Sequence, residues 1–225
     1  MSNEIQLAMP STLPAVPGAL GGPLGAPLGP VVETPIVVDW ESAWKNFHRP
    51  VRIGPLWIGP PWAAPDEGAA AVVIDPGQAF GTGAHPTTRL CLELLLELER
   101  GALVDLGCGS GVLAVSAARL GFRPVVALDD DEAAVEATLA NAAANGVAVE
   151  ARLADVLADP LPAVDVAVAN IAREPVERAA ERFRGRTFVA SGYLAAEHPA
   201  LPGWRVVERR EAEGWAADLL TRAAD

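Results

Sequence analysis

The chain has 225 residues, about half of them hydrophobic, and a net charge of −12 from 17 basic and 29 acidic side chains. This length allows one large domain or a domain with an appendage, and the acidic balance argues against a grip on nucleic-acid phosphates, which needs clustered Lys and Arg. It leaves room for a basic protein partner, while the oligomeric state is not encoded in any feature of the sequence. No apolar run approaches the roughly eighteen residues of a membrane span, and no basic leader precedes the first positive charge at Lys45. Cys91 and Cys108 lack metal or redox spacing, and Cys91 sits in an apolar periodic run that reads as core. A soluble, cytoplasmic protein is expected.

Residues 1–35 are rich in Pro, Gly, Ala and Leu without helical or strand periodicity, so they are expected to form a disordered tail. Residues 36–68 form a tryptophan-rich strap or linker. In it Asp39 can cap a short helix that carries Trp40 and Trp44 on one face, and "PLWIGPPW" (55–62) suggests an edge strand cut off by prolines. The four tryptophans of this segment, Trp40, Trp44, Trp57 and Trp62, are expected to be buried against the domain that follows.

From 69 to 225 strands and helices alternate. "AAAVVID" (69–75) reads as a strand, "PTTRLCLELLLELER" (86–100) as a helix and "ALVDLG" (102–107) as a buried strand. "SGVLAVSAARLG" (110–121) is a helix ended by Gly121, "PVVALD" (124–129) a strand, and residues 131–146 a helix closed by Asn145 and Gly146. Strands at 148–155 and 164–171, a helix at 175–185 and a strand at 187–194 follow, then a hairpin over 204–223. This order predicts an α/β fold: a seven-stranded, mostly parallel sheet with helices on both faces and a C-terminal antiparallel hairpin.

Three stretches carry candidate chemistry. "DPGQAFGTGAHPTT" (75–88) is dense in glycine, as in a loop that hugs a ligand, but it lacks the lysine of a nucleotide-phosphate loop. An ordinary loop before a helix remains the alternative. "LVDLGCGSG" (103–111) ends a strand in a glycine turn, and Val112 stands where a dinucleotide fingerprint has its third glycine. Asp105 precedes the turn on its strand, and Asp129 ends the next strand, where a carboxylate can accept hydrogen bonds from both ribose hydroxyls. Gly107, Gly109, Gly111 and Asp129 together suit S-adenosylmethionine better than NAD; Asp129 as a solvated strand-end acid is the plainer alternative. Asp130 and Asp131 are expected to help cap the next helix. Asn170, at the end of "VAN", can present its amide to an amine or satisfy a turn. A nicotinamide oxidoreductase, a methyltransferase for another protein or a small-molecule acceptor, and a cofactor-binding protein without turnover remain other readings.

"DWESAWKNF", "RIGPLWIGPPW", "DPGQAFGTGAHPTTRLCLELL", "DLGCGSGVLAVSAARLG", "ALDDD", "ANAAANG", "VANI", "SGYL" and "EGW" together resemble the bacterial methyltransferases of large-subunit ribosomal protein L11, the PrmA family. The resemblance runs from about Asp39 to the end of the chain. It implies a Rossmann-like class I methyltransferase that uses S-adenosyl-L-methionine as methyl donor and needs no metal. The acceptors it implies are lysine or N-terminal α-amines of L11 or a related protein, with no direct nucleic-acid or membrane partner.

By the same resemblance Thr88, Gly107, Asp129 and Asn170 are cofactor contacts, and Asp155 is a candidate for the adenine amino group. Loop 75–88 is expected to fold over the methionine end, with Phe80 shielding the sulfonium. Asn170 and the backbone beside Ile171 are expected to orient the acceptor amine. His85 is expected to act as turn and cap rather than as a base. Relatives carry a small α+β recognition domain ahead of the strap where this sequence has its Pro/Gly-rich stretch, which leaves the acceptor protein open. Arg173 is expected to reshape the acceptor mouth.

Overall fold

In the computed structural model, residues 49–75 and 83–223 are described, and they build two β-sheets on either side of a layer of helices. The expected tail at 1–35, the helix around Trp40 and Trp44, and the placement of Phe80 lie outside the described residues.

The first sheet is small and consists of β1 (Val51–Ile53), β2 (Leu56–Gly59) and β3 (Ala70–Val73). β2 runs antiparallel to β1 and parallel to β3, so it is the central strand and not the expected edge. The prolines flank it rather than interrupt it, and the Pro55 carbonyl accepts the Ala70 N–H. Trp57 is buried, but Trp62 is 40% exposed, which corrects the expectation that the tryptophans of this segment are all covered.

The second sheet contains β4 (Leu103–Leu106), β5 (Val125–Asp129), β6 (Glu150–Leu153), β7 (Val166–Asn170), β8 (Thr187–Leu194), β9 (Trp204–Ala212) and β10 (Trp215–Arg222). Its order is β6-β5-β4-β7-β8-β10-β9; the first five strands are parallel, and β10 is antiparallel to both β8 and β9. The chain leaves β4 toward β5 and β6, then returns to β7 on the other flank. That reversal opens a crevice beyond the carboxyl ends of β4 and β7, where ligands bind in such sheets.

Helices α1 (Pro86–Glu97), α2 (Val112–Leu120) and α3 (Glu132–Ala144) lie on one face of this sheet, and α4 (Arg173–Arg182) on the other. α1 starts at Pro86, whose fixed φ suits the first helical position, and buries a stripe of Leu90, Cys91, Leu94 and Leu95. Its last turn is closed by the Arg100 guanidinium, which donates to the carbonyls of Leu95, Leu96 and Leu98. Ile53, Leu56, Ile58, Val72 and Ile74 of the small sheet and its exit share the core of this face. The opposite core gathers Val176, Phe183, Phe188 and Trp204, with the segment around 154–164 covering the part that α4 does not reach.

The hairpin is tied to the parallel strands by buried polar groups, among them Ser191, whose hydroxyl donates to the Ala216 carbonyl, and Asp218. The Asp218 carboxylate accepts from the Tyr193 hydroxyl at 2.8 Å and from Arg209 at 3.0 Å. The β8–β10 register slips between Ala216 and Ala217, which pair with Tyr193 and Ser191, so Gly192 is the extra residue of a bulge.

Candidate functional site

The glycine turn after β4 is held by the neighbouring strand: the N–H groups of Gly107 and Cys108 both donate to the Leu128 carbonyl. Gly107, Gly109 and Gly111 all have φ between 53° and 80°, the left-handed region that L side chains avoid. At Gly107 a Cβ would also stand 2.4 Å from the Ile171 side chain, and at Gly111 it would meet Thr138 of α3. The turn therefore approaches its surroundings as bare backbone.

Asp129 stands beside it. One carboxylate oxygen accepts the Gly109 N–H at 2.9 Å and the other accepts the Asp131 N–H at 3.1 Å, which fixes the orientation of the group while leaving each oxygen further acceptor capacity. Asp131 caps α3 by accepting from Ala133, as expected, whereas Asp130 lines the cleft.

Under the turn, Asp105 is almost fully buried and accepts the Ala114 N–H at 3.1 Å through one oxygen; the other has no partner among the described residues. Burial pushes its carboxyl up to about 7; the Ala114 N–H opposes that rise and the Asp129 charge adds to it.

The other end of the site comes from four separate elements. Thr88 enters from the first turn of α1, Asn170 from the end of β7, Gly192 from the bulge in β8 and Trp215 from the start of β10. The Asn170 amide donates to the Thr88 hydroxyl at 3.2 Å, joining residues 82 positions apart. His85 caps α1: its Nδ1 takes the Thr87 N–H at 3.4 Å and lies 2.7 Å from the Thr87 hydroxyl, while its ring meets Trp215 edge-on. Burial holds the imidazole below its ordinary pKa; the Glu213 charge works against that, and Arg89 reinforces it.

All four residues named from sequence, Thr88, Gly107, Asp129 and Asn170, line one cleft of about 550 Å³. Asp155 and Ile171 line it as well. Arg173 is not among the lining residues; it pairs with Glu177 and Glu197 at partly exposed positions, next to Ala172 and Pro175, which do line the cleft. The lining holds the carboxylates of Asp129, Asp130 and Asp155 and, among the described residues, no Lys or Arg. Such a cleft suits a nucleoside with neutral or positive charge, and its carboxylates would repel the negative charge of a pyrophosphate.

Gly192 and Trp215 also line the cleft, and neither carries a role that the sequence alone makes visible, although "SGYL" and "EGW" belong to the family resemblance. The available signal was a glycine inside a strand pattern, which marks a bulge or a close backbone approach. At Gly192, with φ of 102°, a Cβ would fall 1.7 Å from the Ile171 carbonyl oxygen.

A family model described as ribosomal protein L11 methyltransferase (PrmA) matches residues 32–222. The chain is 42% identical over 203 residues to a ribosomal protein L11 methyltransferase of Symbiobacterium thermophilum, covering 82% of this chain and 66% of that one. It is 48% identical over 153 residues to the protein of the same name from Pseudomonas putida, covering 65% of this chain and 52% of the relative. The match thus spans between about half and two thirds of these relatives' length. The crystal structure of ribosomal protein L11 methylase from Lactobacillus delbrueckii subsp. bulgaricus superposes with a TM-score of 0.70 at 25% identity, covering 79% of this chain and all of that one.

Proposed function

Because the chain belongs to the ribosomal protein L11 methyltransferase family, we propose that it transfers methyl groups from S-adenosyl-L-methionine to amines of L11 or a related protein. The observation that carries this reading is the cleft itself, with a ribose-type carboxylate at one end and the Thr88–Asn170 pair at the other. S-adenosylmethionine supplies a methyl group made electrophilic by the sulfonium. Asp129 would accept the two ribose hydroxyls, Gly107 would admit the methionine end against bare backbone, and Asp155 would receive the adenine amino group. The three carboxylates of the cleft, with no Lys or Arg among its described lining residues, favour this cationic cofactor over an anionic nicotinamide dinucleotide.

The acceptor needs a neutral amine aimed in line, and alignment is the main contribution a protein can make to such a transfer. One N–H of the Asn170 NH₂ is donated to Thr88, and the amide oxygen would take an N–H of the incoming amine. The amine lone pair is then directed away from Asn170. The apolar walls at Ile171, Pro175 and Trp215 lower the amine's pKa by desolvation and so favour the nucleophilic form. Lysine side chains and an N-terminal α-amine both fit this chemistry. Among the described residues no helix is long and apolar enough to cross a membrane.

Two measurements test the reading. Calorimetry should show S-adenosylhomocysteine binding and no NADH binding. Purified L11 incubated with the protein and S-adenosylmethionine should gain mass in methyl steps at amines. Failure to bind S-adenosylhomocysteine would overturn the cofactor assignment; binding without transfer to L11 would overturn the acceptor.

A further inference from the structure

Helix α3 presents an unusual inner face. Thr138, Asn141 and Asn145 follow one another at spacings of three and four, which places them in a row on one side of the helix, and all three are buried. Buried amides and hydroxyls are retained only with partners, and here the partners connect two distant pieces of backbone. Thr138 donates to the Gly109 carbonyl at 3.1 Å, inside the glycine turn. Asn145 pairs with both backbone groups of Val73, accepting its N–H at 2.8 Å and donating to its carbonyl at 2.6 Å. Asn141 stands between them. It donates to the Ser110 carbonyl of the turn at 2.9 Å and accepts the Asp75 N–H at 3.0 Å, just past the end of β3.

We infer that Asn141 is a positioning residue for the cofactor site, a single amide that locks the glycine turn to the backbone leaving β3, so that binding at the turn and ordering of Asp75 are coupled. The inference rests on the cofactor reading given above. Asn145 provides an internal control, because it anchors the same strand with two hydrogen bonds yet makes none to the turn. A linkage of this kind is reciprocal: a ligand that steadies the turn steadies Asp75, and loosening Asp75 weakens the ligand.

The test compares three variants of the full chain with the unaltered protein: Asn141→Leu, Asn141→Asp and Asn145→Leu. Melting temperature, S-adenosylhomocysteine affinity by calorimetry, and hydrogen exchange of the 70–75 backbone with and without ligand are measured on each. Asn145→Leu and Asn141→Leu should both lower the melting temperature, but only the Asn141 variants should weaken S-adenosylhomocysteine, by about tenfold, the size of one buried hydrogen bond. Asn141→Asp keeps an acceptor for Asp75 while setting a carboxylate against the Ser110 carbonyl, so it should lose affinity even where the strand stays anchored. Ligand should slow exchange at Asp75 in the unaltered protein and in Asn145→Leu, and not in Asn141→Leu or Asn141→Asp. Equal loss of affinity in the Asn141 and Asn145 variants, or unchanged affinity in Asn141→Asp, would overturn the proposal. Absence of binding by the unaltered protein would instead refute the cofactor reading on which it rests.

Discussion

The two ends of the cleft are built in opposite ways. The end that holds Gly107 and Asp129 is made from adjacent parallel strands and the turn between β4 and α2, and its hydrogen bonds reach no farther along the chain than the next strand and the helix that follows it, α3. The end that holds Asn170 and Thr88 is assembled from α1, β7, β8 and β10, which meet only in the folded sheet. Ile171 touches both: a Cβ at Gly107 would meet its side chain, and a Cβ at Gly192 would meet its carbonyl. A site can thus have one half written in a local motif and the other half written in topology, with a single residue wedged between them.

The largest effect should come from probing that wedge. Gly192→Ala sets a methyl 1.7 Å from a backbone oxygen at a φ of 102°, so the bulge must rearrange. A loss of about 3 kcal/mol or more in stability is expected by urea unfolding. Gly107→Ala, whose clash is with a movable side chain, should lose roughly half as much and mainly weaken S-adenosylhomocysteine. Equal losses in the two variants would erase the distinction between backbone and side-chain contact at Ile171.

Next is Asp105, beneath the glycine turn. Its folded pKa of about 7 lies above its ordinary 3.8, so the folded state holds the proton more tightly than the unfolded chain does. Stability from this group is complete below about pH 4 and is lost as pH rises through 7, with a slope of up to about 1.4 kcal/mol per pH unit. Asp105→Asn should flatten that part of the profile when urea midpoints are compared from pH 4 to 8. An unchanged slope would mean that the carboxyl is solvated in the native state.

Binding and turnover should then separate the two ends. Asp129→Ala should weaken S-adenosylhomocysteine by roughly 1.5–3 kcal/mol in calorimetry, the size of hydrogen bonds to a charged group. Asn170→Ala should leave that affinity closer to the original and lower kcat about tenfold, because its contact with the amine matters most in the transition state. If the two variants instead shift affinity and kcat in the same proportion, the cleft has no division of labour. The smallest effect belongs to Arg173, whose partners are Glu177 and Glu197 in half-exposed pairs. Arg173→Ala should change stability by less than about 0.5 kcal/mol and leave the KM for L11 unaltered; a raised KM in steady-state kinetics would place it at the acceptor mouth.

By itself the sequence determined the order of elements from β3 onward, because apolar runs, helix stripes and closing glycines such as Gly121 are short-range signals of burial and chain reversal. It also determined the glycine turn and its strand-end carboxylate, since the turn needs left-handed backbone within five residues and the next strand ends at a fixed remove. It did not determine that β2 is a central strand, because "VRI" is too short to show a period and its partner β3 lies beyond a proline-rich stretch. Nor did it show the inner face of α3: Thr138 and Asn141 are polar, so hydrophobic periodicity assigns them to solvent, and Asn145 reads only as the helix end; the backbone they meet is what buries all three. Gly192 and Trp215 joined the site for the same reason. Their roles depend on a register slip between β8 and β10 and on the return of the hairpin beside the parallel strands, and pairing across a sheet is decided when distant segments pack together.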